Sequence, residues 1–322
     1  FWFIALLIGI LAGLAAVGFR FGINWIQGTA YGVRDVARLK TLAATLDWYW
    51  VLAIPILGGL TVGLILHRFT DDARVRTVSD VIEGAALREG RVEVRRGLAS
   101  ALASLITLGT GGSSGREGPV VHLAAVISTM ICRAIKADGI TGRDLLGCAV
   151  AAAVSASFNA PIAGTLFALE VVLRHFAVHA FAPIAIAAVA GTVINRLVYG
   201  DVTEFMLMDQ TMLSFYVELP AFLVLGLVCG LVAVVLIRAI FWTETFADHM
   251  QARIGLHRAL RPAIAGILLG LLAIRWPHII GVGYETTSDA LTGKLLLHEA
   301  VMFTALKIVA VAITMGGRMG GG

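Results

Sequence analysis

Gly115-Arg116-Glu117-Gly118-Pro119 stands between two apolar runs, Leu98–Leu108 and Val120–Ile131. An ionisable pair in such surroundings marks a functional site, because charge at membrane depth is costly and persists only where it faces a cavity or a partner. Pro119 suits the first position of a helix, where its missing N–H is an orphan in any case, and the flanking glycines let backbone approach a ligand closely. The reading is a helix N-terminus aimed into the bilayer. Its free N–H groups and positive dipole end would hold an anion, and the Glu117 carboxylate is a tethered competitor for the same position. That arrangement is a gate.

Composition agrees with a membrane-embedded pathway. The chain of 322 residues is 58% hydrophobic and 14% charged, with a mean hydropathy of +0.88, far from the balance of a water-soluble domain. The net charge of +4 comes largely from loops. Seven arginines crowd His67–Arg96, which places that loop in the cytoplasm by the positive-inside tendency. Interleaved acids, among them Asp71, Asp80, Glu83 and Glu93, make it a solvated polar face and exclude a nucleic-acid patch. Cys132, Cys148 and Cys229 lie scattered in apolar stretches without ligand spacing and read as small core residues, neither disulfides nor metal ligands.

Phe1 opens directly in an apolar run with no signal-peptide pattern, and the chain stops in the glycine cluster Gly316–Gly322, so both ends read as cuts in a longer protein. Between them apolar stretches fall near 1–26, 48–66, 97–109, 119–136, 144–154, 161–174, 177–199, 212–242, 260–280 and 296–315. Several are shorter than the roughly 20 residues of a simple span, which predicts broken or re-entrant helices meeting in mid-membrane. The 212–242 run fits one long tilted helix or two. Gly9, Gly13 and Gly18, and Gly59 with Gly63, recur at helix-contact spacing. The linkers are short and polar, with no soluble domain among them.

Gly109-Thr-Gly-Gly-Ser-Ser-Gly115 has competing readings. No Lys-Ser/Thr follows, so it is not a P-loop, and its flanks are helical, so it is not a dinucleotide fingerprint. Its Gly112-Ser113-Ser114-Gly115 has the shape of an intramembrane serine protease motif, with His122, His175 or His179 as candidate bases for Ser114, but that reading leaves Glu117 and Pro119 without a role. A second interruption follows at Asn159-Ala160-Pro161, where one helix should end and the next begin. Glu170 lies almost three turns into that next helix, one turn from Arg174, and reads as a structural ion pair.

Together these residues resemble the CLC family of chloride channels and proton-coupled chloride antiporters: Gly-Arg-Glu-Gly-Pro at 115–119, then Phe158-Asn159-Ala160-Pro161-Ile162-Ala163-Gly164-x-Leu166-Phe167-x-x-Glu170 about forty residues on. The resemblance covers the whole chain. It implies an all-α membrane protein, a homodimer of inverted-repeat helical bundles with broken helices, in which residues 1–200 form the first half and 201–322 part of the second. It further implies that Glu117 is the gating glutamate, and that Gly115, Arg116, Gly118 and Pro119 present backbone amides to the anion. The family's serine-bearing turn should fall at Arg76-Thr77-Val78-Ser79-Asp80 and is degraded here, with Arg76 or Thr77 in the serine's place and Thr77 and Ser79 as the anion-facing hydroxyls. A Gly-x-Phe-x-Pro signature should begin within Gly320–Gly322. At the position of the antiporters' inner proton-transfer glutamate stands Val171, which cannot relay a proton and favours a channel-like mechanism. The implied function is chloride transport through a glutamate-gated pathway in a prokaryotic inner membrane, without enzyme chemistry, cofactor or nucleic-acid partner; a proton-coupled antiporter for fluoride or another anion is the alternative.

Overall fold

The computed structural model describes residues 1–32, 39–174, 178–200 and 215–322. Those residues form thirteen α-helices and no strands: α1 (Trp2–Tyr31), α2 (Leu39–Ala43), α3 (Trp48–Phe69), α4 (Val78–Leu87), α5 (Val94–Gly109), α6 (Glu117–Ala134), α7 (Gly139–Phe158), α8 (Pro161–Phe167), α9 (Val178–Tyr199), α10 (Phe215–Ile254), α11 (Arg261–Arg275), α12 (Tyr284–Leu291) and α13 (Leu297–Gly316). Among the described residues five helices are long and apolar enough to cross a membrane, namely α1, α3, α9, α10 and α13. The others are short or carry polar residues, as broken helices do.

Helix α7 lies at the centre. Its residues are buried almost without interruption from Leu145 to Ser157, and Ala149, Ala151, Ala152 and Ala153 are fully enclosed. A helix apolar on all sides belongs inside, and its small side chains let α1, α6, α8 and α9 close on it. The glycine spacing in α1 has the same use: a Cβ on Gly9 would sit 2.8 Å from the Ala187 Cα, and one on Gly13 would sit 3.0 Å from the Gly191 Cα, so both glycines lie in the α1–α9 contact. Gly59 and Gly63 do this against Pro262 and Ala259, whereas Gly18 faces open space and contributes no contact.

From Phe215 onward the 212–242 run is one continuous helix, α10, of 40 residues in all, with Pro220 in its first turns; residues 212–214 lie outside the described residues. It packs chiefly on α13. Helices α4 and α12 form inside stretches that read as polar linkers, because each carries too few apolar residues to show a membrane pattern. Asn159 ends α7 in the left-handed conformation (φ 54°, ψ 35°) and Pro161 opens α8, as the turn chemistry requires.

Two expectations need correction. Helix α6 starts at Glu117, so Pro119 is its third residue, not its first; within the first turn its missing N–H is still an orphan. The Glu170–Arg174 ion pair does not form among the described residues. The segment Ala168–Leu173 is a π-helix and Arg174 turns left-handed at φ 57°, which breaks the one-turn spacing that would bring the side chains together; both are exposed.

Candidate functional site

Three chain segments meet at the start of α6. The first is the turn from Thr110 to Arg116 that leaves α5, with Gly111 at φ +98°. The second is the N-terminal end of α4. The third is Met319–Gly322, which leaves α13 and runs back across the turn. Polar contacts join the first and third: Thr314 Oγ1 accepts from the Ser113 N–H at 3.0 Å, Ser114 Oγ donates to the Gly320 carbonyl at 3.3 Å, and the Gly322 N–H donates to the Gly115 carbonyl at 3.1 Å. The Thr107 hydroxyl donates to the Met319 carbonyl.

The glycines permit this crossing. A Cβ on Gly115 would lie 2.3 Å from Glu117 Oε2 and 2.3 Å from the Gly322 carbonyl oxygen, and one on Gly118 would lie 2.8 Å from the Gly322 Cα. The Glu117 carboxylate therefore folds back over Gly115, beside the opening of its own helix. There the first-turn amides of Glu117 and Gly118 have no helical acceptor. A carboxylate at that place and a small anion are alternatives for one electropositive helix end.

Arg116, at the N-cap, does not reach for that position. It is buried, with Nη2 donating to the Ser157 carbonyl at 3.1 Å and its guanidinium 5.3 Å from the Tyr284 ring centre. Its side chain braces α6 against α7 and α12, and also lines a pocket with Arg20, Lys40, His278, Tyr284 and Glu285 on the face opposite the arginine-rich loop. This cation-rich pocket was not visible in the sequence, since its residues come from four separated segments.

The end of α4 is differently made. The Thr77 N–H donates to Asp80 Oδ2 at 2.8 Å, Thr77 Oγ1 and Ser79 Oγ are 2.9 Å apart, and Arg76 pairs with Asp72 at 3.1 Å and Asp80 at 3.5 Å. Asp80 thus caps its own helix. Gly320 joins this end to the α6 turn: a Cβ there would lie 3.0 Å from both Val75 Cγ2 and Ser104 Oγ. Val171 is exposed on the π-helix.

The protease reading fails on geometry. Ser114 is buried and bonded to Gly320, His122 lies against Gly97, and His179 sits 3.4 Å from Asp144, so no described histidine meets the serine. His175 lies outside the described residues.

Residues 58–322 match the family model for voltage gated chloride channels. The chain belongs to this family. It is 30% identical over 327 residues to a putative chloride channel protein, ClcB-like, of Ralstonia nicotianae, covering 99% of this chain and 74% of that protein. It is also 30% identical to chloride channel protein CLC-f of Arabidopsis thaliana, of which it spans 42%. Among solved structures it resembles a slow cyanobacterial Cl-/H+ antiporter, with a TM-score of 0.81 at 19% identity, covering 99% of this chain and 74% of that one. A CLC-type fluoride/proton antiporter superposes with a TM-score of 0.78 at 21% identity, over 99% of this chain and 76% of that one. The two solved structures share the helix architecture described above.

Proposed function

We propose that this integral membrane protein conducts a small anion, chloride in the first instance, past a gate formed by Glu117. The observation that carries the reading is the Glu117 carboxylate folded over Gly115 at the open end of α6, where protonation or displacement would free the amides for the anion. Gly115, Gly118 and Pro119 shape the backbone there, Arg116 braces it, and Thr77 and Ser79 are the hydroxyls that the degraded serine turn offers at the α4 end. Two such chains form the homodimer, each with its own pathway, divided near residue 200 into a first half and part of an inverted second half, in the inner membrane of a prokaryote.

Fluoride or another anion is the second reading, favoured by the Asp80-capped α4 end, which differs from an open serine turn and alters what the anion meets there. The fold is shared with a chloride/proton and a fluoride/proton antiporter, which is compatible with either ion and with proton coupling. The test is anion efflux from proteoliposomes with chloride, fluoride and nitrate in competition. Chloride efflux abolished by no competitor and unchanged in Glu117→Gln across external pH would end the gating proposal.

A further inference from the structure

The proton relay that Val171 cannot supply has a candidate elsewhere in the molecule. His122, one and a half turns beyond Glu117 on α6, is 2% exposed, and neither ring nitrogen meets full hydrogen-bond geometry among the described residues, the Thr77 backbone being the polar group beside it. A buried imidazole without well-formed hydrogen bonds carries a penalty that a folded protein rarely retains without use. Its edge fits against Gly97 of α5, where a Cβ would lie 2.8 Å from Nε2. It lines a pocket together with Asp80, Glu83, Glu93, Arg76, Arg88, Arg91 and Arg96 of the arginine-rich loop. The Thr77 backbone, Asp80 and Arg76 are the polar groups of the α4 end that face it.

From His122 a row of hydroxyls runs toward the gate. Gly97, Ser100, Ser104 and Thr107 recur at three- and four-residue intervals and so share one face of α5. The Ser100 hydroxyl accepts the Arg76 N–H at 2.9 Å. Ser104 Oγ is buried without a partner among the described residues, and stands against Gly320, whose carbonyl holds Ser114. Two residues on, Gly322 bonds Gly115 beside the Glu117 carboxylate. Seven residues of α5 separate the level of His122 from that of Ser104, a rise of about 10 Å.

We infer that His122 is the inner proton-transfer residue of this protein, taking protons from the pocket on the arginine-rich side and passing them along the α5 hydroxyls to Glu117. The inference rests on the anion-transport reading above. In the transfer step the imidazolium loses one N–H proton, the Glu117 carboxylate gains it as an O–H, and the neutral ring is reprotonated by water in the pocket. Histidine suits the task because it exchanges protons near neutral pH, where valine cannot.

The experiment uses the full-length protein in proteoliposomes, with chloride efflux and chloride-driven proton uptake recorded together. The unsubstituted protein is expected to take up protons. His122→Gln is expected to lower proton uptake by about a hundredfold while chloride efflux stays within about twofold. His122→Ala serves as the second variant, with external imidazole restoring uptake; its chloride efflux reports that the protein is folded. Wild-type proton-to-chloride ratio in His122→Gln overturns the relay. Chloride efflux with no proton uptake in the unsubstituted protein overturns it too, while leaving anion transport standing, whereas the absence of any anion flux overturns the transport reading itself.

Discussion

At Glu117 the decisive neighbours are backbone atoms. The carboxylate rests beside Gly115 and the Gly322 carbonyl, and in the proposed gate its charge, more than its bulk, would exclude an anion from the amides of α6. Glu117→Gln removes that charge and keeps the shape. Anion efflux in the variant is expected to lose most of its external-pH dependence, because the neutral amide has no charge for protons to remove; efflux recorded across a pH series checks this. Gly115→Ala asks the opposite question. The added methyl would meet both the Glu117 carboxylate and the Gly322 carbonyl, so we expect a loss of about 1–3 kcal/mol, read as a lower melting temperature, together with impaired efflux. That Glu117 is special is legible from its apolar flanks, but that Gly322 lies across it is not, because 205 positions separate the two in the chain.

Among the elements, the end of α13 depends on one buried arginine. Arg261, the first residue of α11, donates from Nε and Nη2 to the Gly316 carbonyl at 2.9 and 2.6 Å and pairs with Asp248 of α10, which Arg318 also holds at 2.9 Å. A cation at a helix C-terminus satisfies orphan carbonyls and complements the dipole. Arg261→Met leaves the buried Gly316 carbonyl without its donor and is expected to destabilise by about 1–3 kcal/mol, the cost of an unsatisfied buried acceptor; loss of a monodisperse peak in size-exclusion chromatography checks it. Glu170 is the contrasting case. Exposed on the π-helix and without the Arg174 pair, it should tolerate Glu170→Gln within about 0.5 kcal/mol by thermal melting. Helical spacing alone called for that ion pair, and the π-turn undid it.

At the scale of the whole molecule, early and late segments are tied on the face opposite the arginine-rich loop. Lys40 of α2 holds Asp289 of α12 through Nζ at 2.5 Å, and its N–H donates to Glu285 at 2.7 Å. Burial disfavours the charged form of Asp289, but the bonds and charges of Lys40 and Lys294 outweigh it and hold the carboxyl below the usual aspartate range. A depressed carboxylate contributes stability above its unfolded pKa, near 3.9, and loses it as the pH falls through the lower folded value. The tie is therefore intact at neutral pH and weakens only in strong acid. Lys40→Met should cost about 1 kcal/mol at pH 7, a difference that shrinks below about pH 4 in melting curves taken across pH.

Hydropathy, broken apolar runs and the motif at 115–119 were enough, read as sequence, to establish an all-α membrane protein with a helix end and a carboxylate at its centre. These are local properties: a run of apolar residues has one low-energy state in lipid, and a Gly-Arg-Glu-Gly-Pro turn interrupts it wherever it occurs. Short polar helices such as α4 and α12 escaped notice because periodicity needs more turns than they have. The crossing of Gly320–Gly322 over Gly115, the bracing of Arg116 by Ser157 and Tyr284, and the placing of His122 against Gly97 came only with tertiary structure. Each is a contact between distant segments, set by which small residues let two backbones approach, and that is a property of the packed helices together and of no single stretch.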